Sequence, residues 1–223
     1  MEKGFVVSDI VNLGASPTIG TYILPGEPPI TLSQKIDSQI KLTALNCEKI
    51  IEGTKNGIFD LGVIESAIFD DALCYEEWME DELVVCSKTS LGESIDREKI
   101  GNCQLLCRQE ESPTRQLISD FFSRHGLSYH HFDSLMEVDN TTSAIQSIKW
   151  SKPNREHPTI TIVSKLAIID ELERKELYLS RINGALLSRK YYIIYDKKRK
   201  DTGKIKEIIE YLQMWHRTTE LSS

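Results

Sequence analysis

"QIKLTALNCEKIIEGTKNGIFDLGVIES", residues 39–66, changes its hydrophobic period twice. Gln39 to Leu45 reads as a strand. "CEKIIEGTKNG" then sets Ile50 and Ile51 on one face of a helix that Gly57 terminates, and Phe59 to Ser66 is a second short apolar strand. A strand "VVSDIVNLGA" (Val6–Ala15) and a helix from about Thr18 come before it. The order βαβαβ is the pattern of parallel strands with helices over the faces of the sheet.

Reading onward, "ALCYEEW" and "ELVVCSK" are two more strand-like runs, and the polar "TSLGESIDREKIGN" interrupts the alternation. It restarts with "CQLLCR" (Cys103–Arg108) and a helix from Pro113 to about His125, in which Leu117, Ile118, Phe121 and Phe122 recur at helical spacing. Strand "SLMEV", a helix from Thr142 to Trp150, strand "TITIVS" and helix "KLAIIDELERK" complete a second α/β unit. The chain ends with the β-branched, aromatic strand "RKYYIIYDKK" and a helix from about Thr202 to His216. The first unit has fewer helices than strands, so this last pair is expected to return and cover it. The sequence therefore predicts an α/β fold of two Rossmann-like lobes, residues 1–87 with 190–223 and residues 88–189. Two crossover strands, near Cys86–Lys88 and Ser188–Lys190, join them and let them hinge around a cleft.

Composition narrows the function. The 223 residues are 40% apolar, enough for a sizeable core, and no run approaches the roughly 18 apolar residues of a membrane span. No secretory leader is expected, since the opening residues show no basic, apolar, small-residue pattern. Five cysteines, Cys47, Cys74, Cys86, Cys103 and Cys107, lie in apolar stretches and are odd in number, which suits a reducing compartment and a cytoplasmic protein. "CQLLC" reads as a strand and "HH" at 130–131 as a solvated turn, without further ligands at metal spacing, so no metal site is expected. The net charge of −7 argues against binding DNA phosphates unaided. No phosphate loop, GxGxxG, HExxH or GxSxG occurs, and the five histidines fall at helix ends or in polar loops, so neither catalysis nor a cofactor is expected.

What remains is recognition, and the strand-to-helix junctions carry it. In open α/β sheets ligands bind beyond the carboxyl ends of the strands, where helix N-termini gather. Ser16 with Pro17, Ser112 with Pro113, Asn140 or Thr141, and Ser164 all stand at such junctions as candidate N-caps. Arg115, in "SPTRQ", offers a guanidinium for a carboxylate with Arg108 behind it, although Glu110 and Glu111 would repel an acidic ligand. Glu65, at a strand end, favours an ammonium or hydroxyl group. A zwitterion or a polyhydroxylated acid fits this set as well as a simple anion does.

Taken in order over residues 5–213, "LGASPTIGTYILP", "EKIIEGTKNGIFDLGVIES", "DELVVCSK", "LLCRQEESPTRQLISDFFSRHGL", "VDNTTSAIQSI" and "ITIVSKLAIIDELERKEL" resemble the effector-binding domain of LysR-type transcriptional regulators. The resemblance implies a type II periplasmic-binding-protein-like fold that binds a small-molecule effector in its cleft and is not an enzyme. It implies contacts from Ser16, Pro17 and Thr18, from Glu65 and Ser66, from Asn140, Thr141 and Thr142, and from Val163 and Ser164; it gives Arg115 the least support. Partners implied are a homodimer or tetramer, through the first-lobe helix and the Pro113 helix, and DNA through an N-terminal winged helix-turn-helix not present in this sequence, which reads as an excised regulatory domain. Two stretches depart from the family: Pro25, Gly26, Pro28 and Pro29 should break the first helix, and "KWSKPNREHP" is a polar insertion before "TITIVS". A transporter's solute-binding protein shares the fold but needs export. A prephenate-dehydratase-like enzyme is matched only by "PTRQ", where Gln116 replaces that family's aromatic residue.

Overall fold

The structure, a computed structural model, describes residues 9–65, 68–199 and 203–220, without the side chains of Glu27 and of residues 216–220. The expected strand start at Val6 and the helix start at Thr202 lie outside the described residues. In chain order the elements are β1 (Ile10–Ala15), a π-helical turn (Ile19–Ile23), α1 (Glu27–Lys35), β2 (Gln39–Ala44), α2 (Cys47–Lys55), β3 (Leu61–Ile64) and β4 (Leu73–Ser87). Then come β5 (Ser94–Ile95), α3 (Arg97–Ile100), β6 (Gln104–Arg108), α4 (Pro113–Arg124), β7 (Ser134–Val138), α5 (Thr141–Trp150) and β8 (Thr159–Ser164). The chain closes with α6 (Ile169–Glu173), β9 (Tyr178–Ile182), β10 (Ser188–Asp196) and α7 (Gly203–Glu220). It divides into two units, Met1–Glu80 with Lys190–Ser223, and Asp81–Arg189.

The first unit orders its strands β2-β1-β3-β10. β1 is parallel to β2, from Ile10 opposite Gln39 to Ala15 opposite Ala44, and parallel to β3, whereas β10 runs antiparallel to β3. Asn46 caps α2 by accepting the Lys49 amide at 3.0 Å, and the helix buries Cys47, Ile50 and Ile51 against Phe59, Ile64, Leu73 and Ile194. The last helix is fixed by Trp78, whose indole N–H donates to the Leu212 carbonyl at 3.0 Å while its ring stacks on Trp215. Burying about 150–250 Å² of each aromatic ring explains why one tryptophan pair can hold a helix end.

In the second unit β7, β6 and β8 are parallel neighbours, β4 pairs antiparallel with β8 and β9, and β5 lies beside β9. Its core joins Leu83, Val85, Leu105, Ile118, Phe121, Phe122, Ile160 and Ile162. The apolar stripe of α4 faces this core, as its spacing required.

Two expectations change. "ALCYEEW" and "ELVVCSK" are one continuous strand of 15 residues, because no Gly, Pro or Asn between Leu73 and Ser87 allows a turn. The polar segment after it is not wholly irregular: Asp96 accepts the Lys99 amide at 2.9 Å and starts the short α3. The first helix does break, with Gly26 at φ 101° immediately before α1 and Pro28 and Pro29 in the first turn of that helix.

Close approach of α2 and β10 to β3 depends on Gly62, where an added Cβ would lie 2.6 Å from Ile50 Cγ2 and 2.8 Å from Ile194 Cγ1. Gly62→Ala is expected to lower the free energy of unfolding by about 1–3 kcal/mol through overpacking, measured by urea denaturation followed by circular dichroism.

Candidate functional site

In the first unit the parallel register brings the carboxyl ends of β1 and β3 to one edge, since Ala15 lies opposite Val63. Ser16 follows β1 there and Glu65 follows β3. The Ser16 amide donates to the Val63 carbonyl at 2.9 Å, and the Ser16 carbonyl accepts the Gly20 amide at 2.8 Å. The main chain of Ser16 is thus fully engaged. Its hydroxyl is not: the residue is 0% exposed and Oγ has no hydrogen-bond partner among the described residues. Leaving a buried hydroxyl unsatisfied costs about 1–3 kcal/mol.

Pro17 is half-buried and Thr18 buried. The helix they begin is π-helical, with the Leu24 amide reaching back to the Ile19 carbonyl at 2.9 Å. Such turns widen a helix locally and are common at binding sites. Its start presses on the sheet so closely that a Cβ on Gly20 would lie 2.9 Å from the Ala44 Cβ. Glu65 is half-buried, and Ser66 lies outside the described residues.

In the second unit the parallel β7, β6 and β8 set Val138, Arg108 and Ser164 along one edge. Asn140 caps α5 by accepting the Ser143 amide at 2.7 Å and itself donates to Asp139 at 2.9 Å. Thr141 is buried with its hydroxyl 3.5 Å from Arg108 Nη1, and Thr142 is exposed. Val163 and Ser164 are buried at the end of β8. The structure therefore brings Asn140, Thr141 and Thr142 to the same edge as Val163 and Ser164.

Not every predicted cap forms. Ser164 was expected to cap the helical segment after β8, but its hydroxyl instead donates to Asp81 Oδ1 at 2.7 Å. A carboxylate oxygen is the stronger acceptor and outcompetes a capping role for that hydroxyl. Ser112 precedes Pro113 at the start of α4 but makes no side-chain cap bond. Arg115 points back into its own unit. Its Nη1 donates to the Arg108 carbonyl at 2.6 Å and contacts Cys107 Sγ at 2.6 Å, and the guanidinium lies 4.2 Å above the Tyr129 ring. Burial pushes the Tyr129 hydroxyl up to about 12, opposed by the Arg115 charge. The same burial raises the Cys107 thiol, again against Arg115.

The charged centre of this unit escaped the sequence reading. Asp81 Oδ2 accepts from Arg189 Nε at 3.0 Å, and Arg189 Nη1 donates to Thr114 Oγ1 at 3.1 Å. Both charged side chains are buried, 0% exposed for Asp81 and 6% for Arg189. Ser164, Asp81, Arg189 and Thr114 form one chain of hydrogen bonds tying β8, β4, β10 and the first turn of α4. The available signal was a run of acids within β4 and a base at the start of β10; their pairing was not legible. Among the described residues no three His, Cys, Asp or Glu side chains could hold a metal ion, and no helix is long and apolar enough to cross a membrane.

Removing one member of a buried ion pair strands the other charge. Arg189→Ala is expected to cost about 3–5 kcal/mol in urea denaturation, whereas Arg181→Ala, which breaks the exposed pair with Glu82, is expected to leave the urea midpoint nearly unchanged.

The family model for the LysR substrate binding domain matches residues 7–217. An uncharacterized HTH-type transcriptional regulator of Staphylococcus xylosus is 26% identical over 96% of this chain and 71% of its own length. A probable RuBisCO transcriptional regulator of Trichormus variabilis is 26% identical over 86% of this chain, which spans 60% of that relative. Among solved structures, the effector binding domain of QuiR in complex with shikimate aligns with a TM-score of 0.73 at 17% identity, covering 95% of this chain and 98% of its own. The regulatory domain of Synechocystis PCC6803 CcmR in complex with 2-PG aligns at 0.76 and 18% identity, covering 93% and 97%. These structures have the same fold as this chain.

Proposed function

The chain belongs to the LysR substrate-binding-domain family, and on that premise we propose that it is the ligand-sensing part of a LysR-type transcriptional regulator. It recognises a small polar or carboxylate-bearing metabolite and reports it to an attached DNA-binding domain. A ligand does this only by binding one conformation of the chain better than another. The working protein is a cytoplasmic homodimer or tetramer, non-enzymatic, which meets DNA only through that attached domain.

The Ser16 hydroxyl carries this reading. It is a buried donor and acceptor with no partner among the described residues, at the strand edge where this class of sheet receives ligands. A hydroxyl or carboxylate on the ligand pairs with it. Pro17, Thr18 and Glu65 are the companions of Ser16 at that edge of the first unit, and Asn140, Thr141, Thr142, Val163 and Ser164 are the candidate contacts at the corresponding edge of the second unit, taken by itself. Ser164 acts by fixing the strand end, because its hydroxyl is committed to Asp81. Arg115 contributes by holding the carbonyl end of β6 through Arg108, a supporting place rather than a contact. The ligands named for QuiR and CcmR, shikimate and 2-PG, suggest hydroxylated and anionic acids as the first compounds to try.

A thermal-shift screen of hydroxy acids, aromatic acids and amino acids tests this. A ligand at about 100 times its dissociation constant adds about 2.7 kcal/mol and should raise the midpoint by about 5–10 °C in a chain of this length. Ser16→Ala combined with Thr18→Val is expected to abolish most of that rise. Ser16→Ala alone should leave the unliganded midpoint unchanged or higher, since it removes an unsatisfied hydroxyl. A ligand that stabilises the double variant as much as the parent places the site elsewhere.

A further inference from the structure

The polar stretch "KWSKPNREHP" takes no part in the proposed site, yet it forms one wall of a cavity of about 390 Å³ inside the second unit. The cavity opens at the amino ends of β6 and β8, because Cys103 directly precedes β6 while Arg155 and Glu156 precede β8. Val138 and Ser164 sit at the other ends of these parallel strands. Five residues of β6, at about 3.3 Å each, separate the two edges by about 16 Å. The cavity is therefore a separate place from the edge that carries Asn140 to Thr142.

Its chemistry is two-sided. Ile95 and Cys103, both fully buried, provide an apolar floor. The Cys103 thiol donates to the Lys99 carbonyl at 3.2 Å, and burial pushes it up to about 11, so it stays protonated and uncharged at neutral pH. The rim carries Lys99, Asn102 and Arg155, against the single carboxylate of Glu156. Neither the Lys99 ammonium nor the Arg155 guanidinium has an ion-pair partner among the described residues. In a chain of net charge −7 this is a local excess of positive charge beside an apolar surface. The volume lies within the range of small-ligand sites, and the combination of apolar walls with a few converging polar groups is what such sites use.

We infer that this cavity is a second ligand site, which takes a small organic anion by seating its apolar body on Ile95 and Cys103 and its carboxylate or phosphate between Lys99, Arg155 and Asn102. Guanidinium and ammonium groups bind both anions, the guanidinium with the more directional fork. The reading stands independently of the Ser16 site.

Amide chemical shifts of the ¹⁵N-labelled full chain provide the test, with benzoate and phenyl phosphate titrated in separate arms and benzyl alcohol as the uncharged control. At least one anion should produce saturable shifts centred on Leu91, Lys99 and Asn102, and benzyl alcohol should not. Whichever arm saturates identifies the preferred headgroup. Lys99→Ala with Arg155→Ala should weaken that binding about tenfold or more, and Asn102→Trp, which fills the cavity, should abolish it. Ser16→Ala should leave it unchanged. All three positions are exposed, so these variants keep the core intact. The site is refuted if neither anion saturates below about 10 mM, where binding is too weak to be specific, if benzyl alcohol matches the anions, or if the double variant binds as well as the parent.

Discussion

One buried ion pair organises the second unit: Asp81 with Arg189, 3.0 Å apart and hidden from water. Asp81 is the first residue of that unit and Arg189 its last, so the pair stands at both points where the chain enters and leaves it. Desolvating two charges costs several kcal/mol each, and their attraction offsets this only with good geometry and further hydrogen bonds. Ser164 and Thr114 supply those bonds. The pair's main contribution is therefore positional. It fixes where β4 begins to pair with β8, how β10 starts, and where the first turn of α4 lies.

The same demand for hydrogen-bond partners separates structural polar groups from those left for a ligand. Ser164, Arg115 and Asn140 all stand at strand-to-helix junctions, and each has an internal partner in Asp81, the Arg108 carbonyl or the Ser143 amide. Ser16 stands at an equivalent junction with its main chain satisfied and its hydroxyl without a partner among the described residues. An equal count of serines and threonines at junctions thus conceals unequal roles. Burial and partnership distinguish them.

Much of the fold was legible because its signals are local. The alternation of strand and helix, the Gly57 stop, the apolar stripe of α4 and the proline break before α1 each depend on residues within a turn or two. The continuous β4 was read as two runs because its acidic centre, Glu76 to Asp81, resembles a loop by composition. Lys190 and Tyr195 pair with Glu77 and Glu76 of that stretch and let it remain a strand. The candidate site was legible as a set of junctions, through resemblance as well as spacing, but Ser16 could not be ranked above Ser112 or Ser164 from sequence.

The sequence by itself determined the α/β alternation, the Gly57 stop of α2, the start of α5 at Asn140 or Thr141 and the apolar faces of α2 and α4, since periodicity and capping act over a few residues. Tertiary structure alone decided which polar side chains meet. Asp81 finds Ser164 across 83 residues and Arg189 across 108, and Arg189 finds Thr114 across 75. Those encounters follow from strand order, and strand order is a property of the whole sheet. A hydroxyl or guanidinium at the end of a strand is free for a ligand only if no such distant partner claims it.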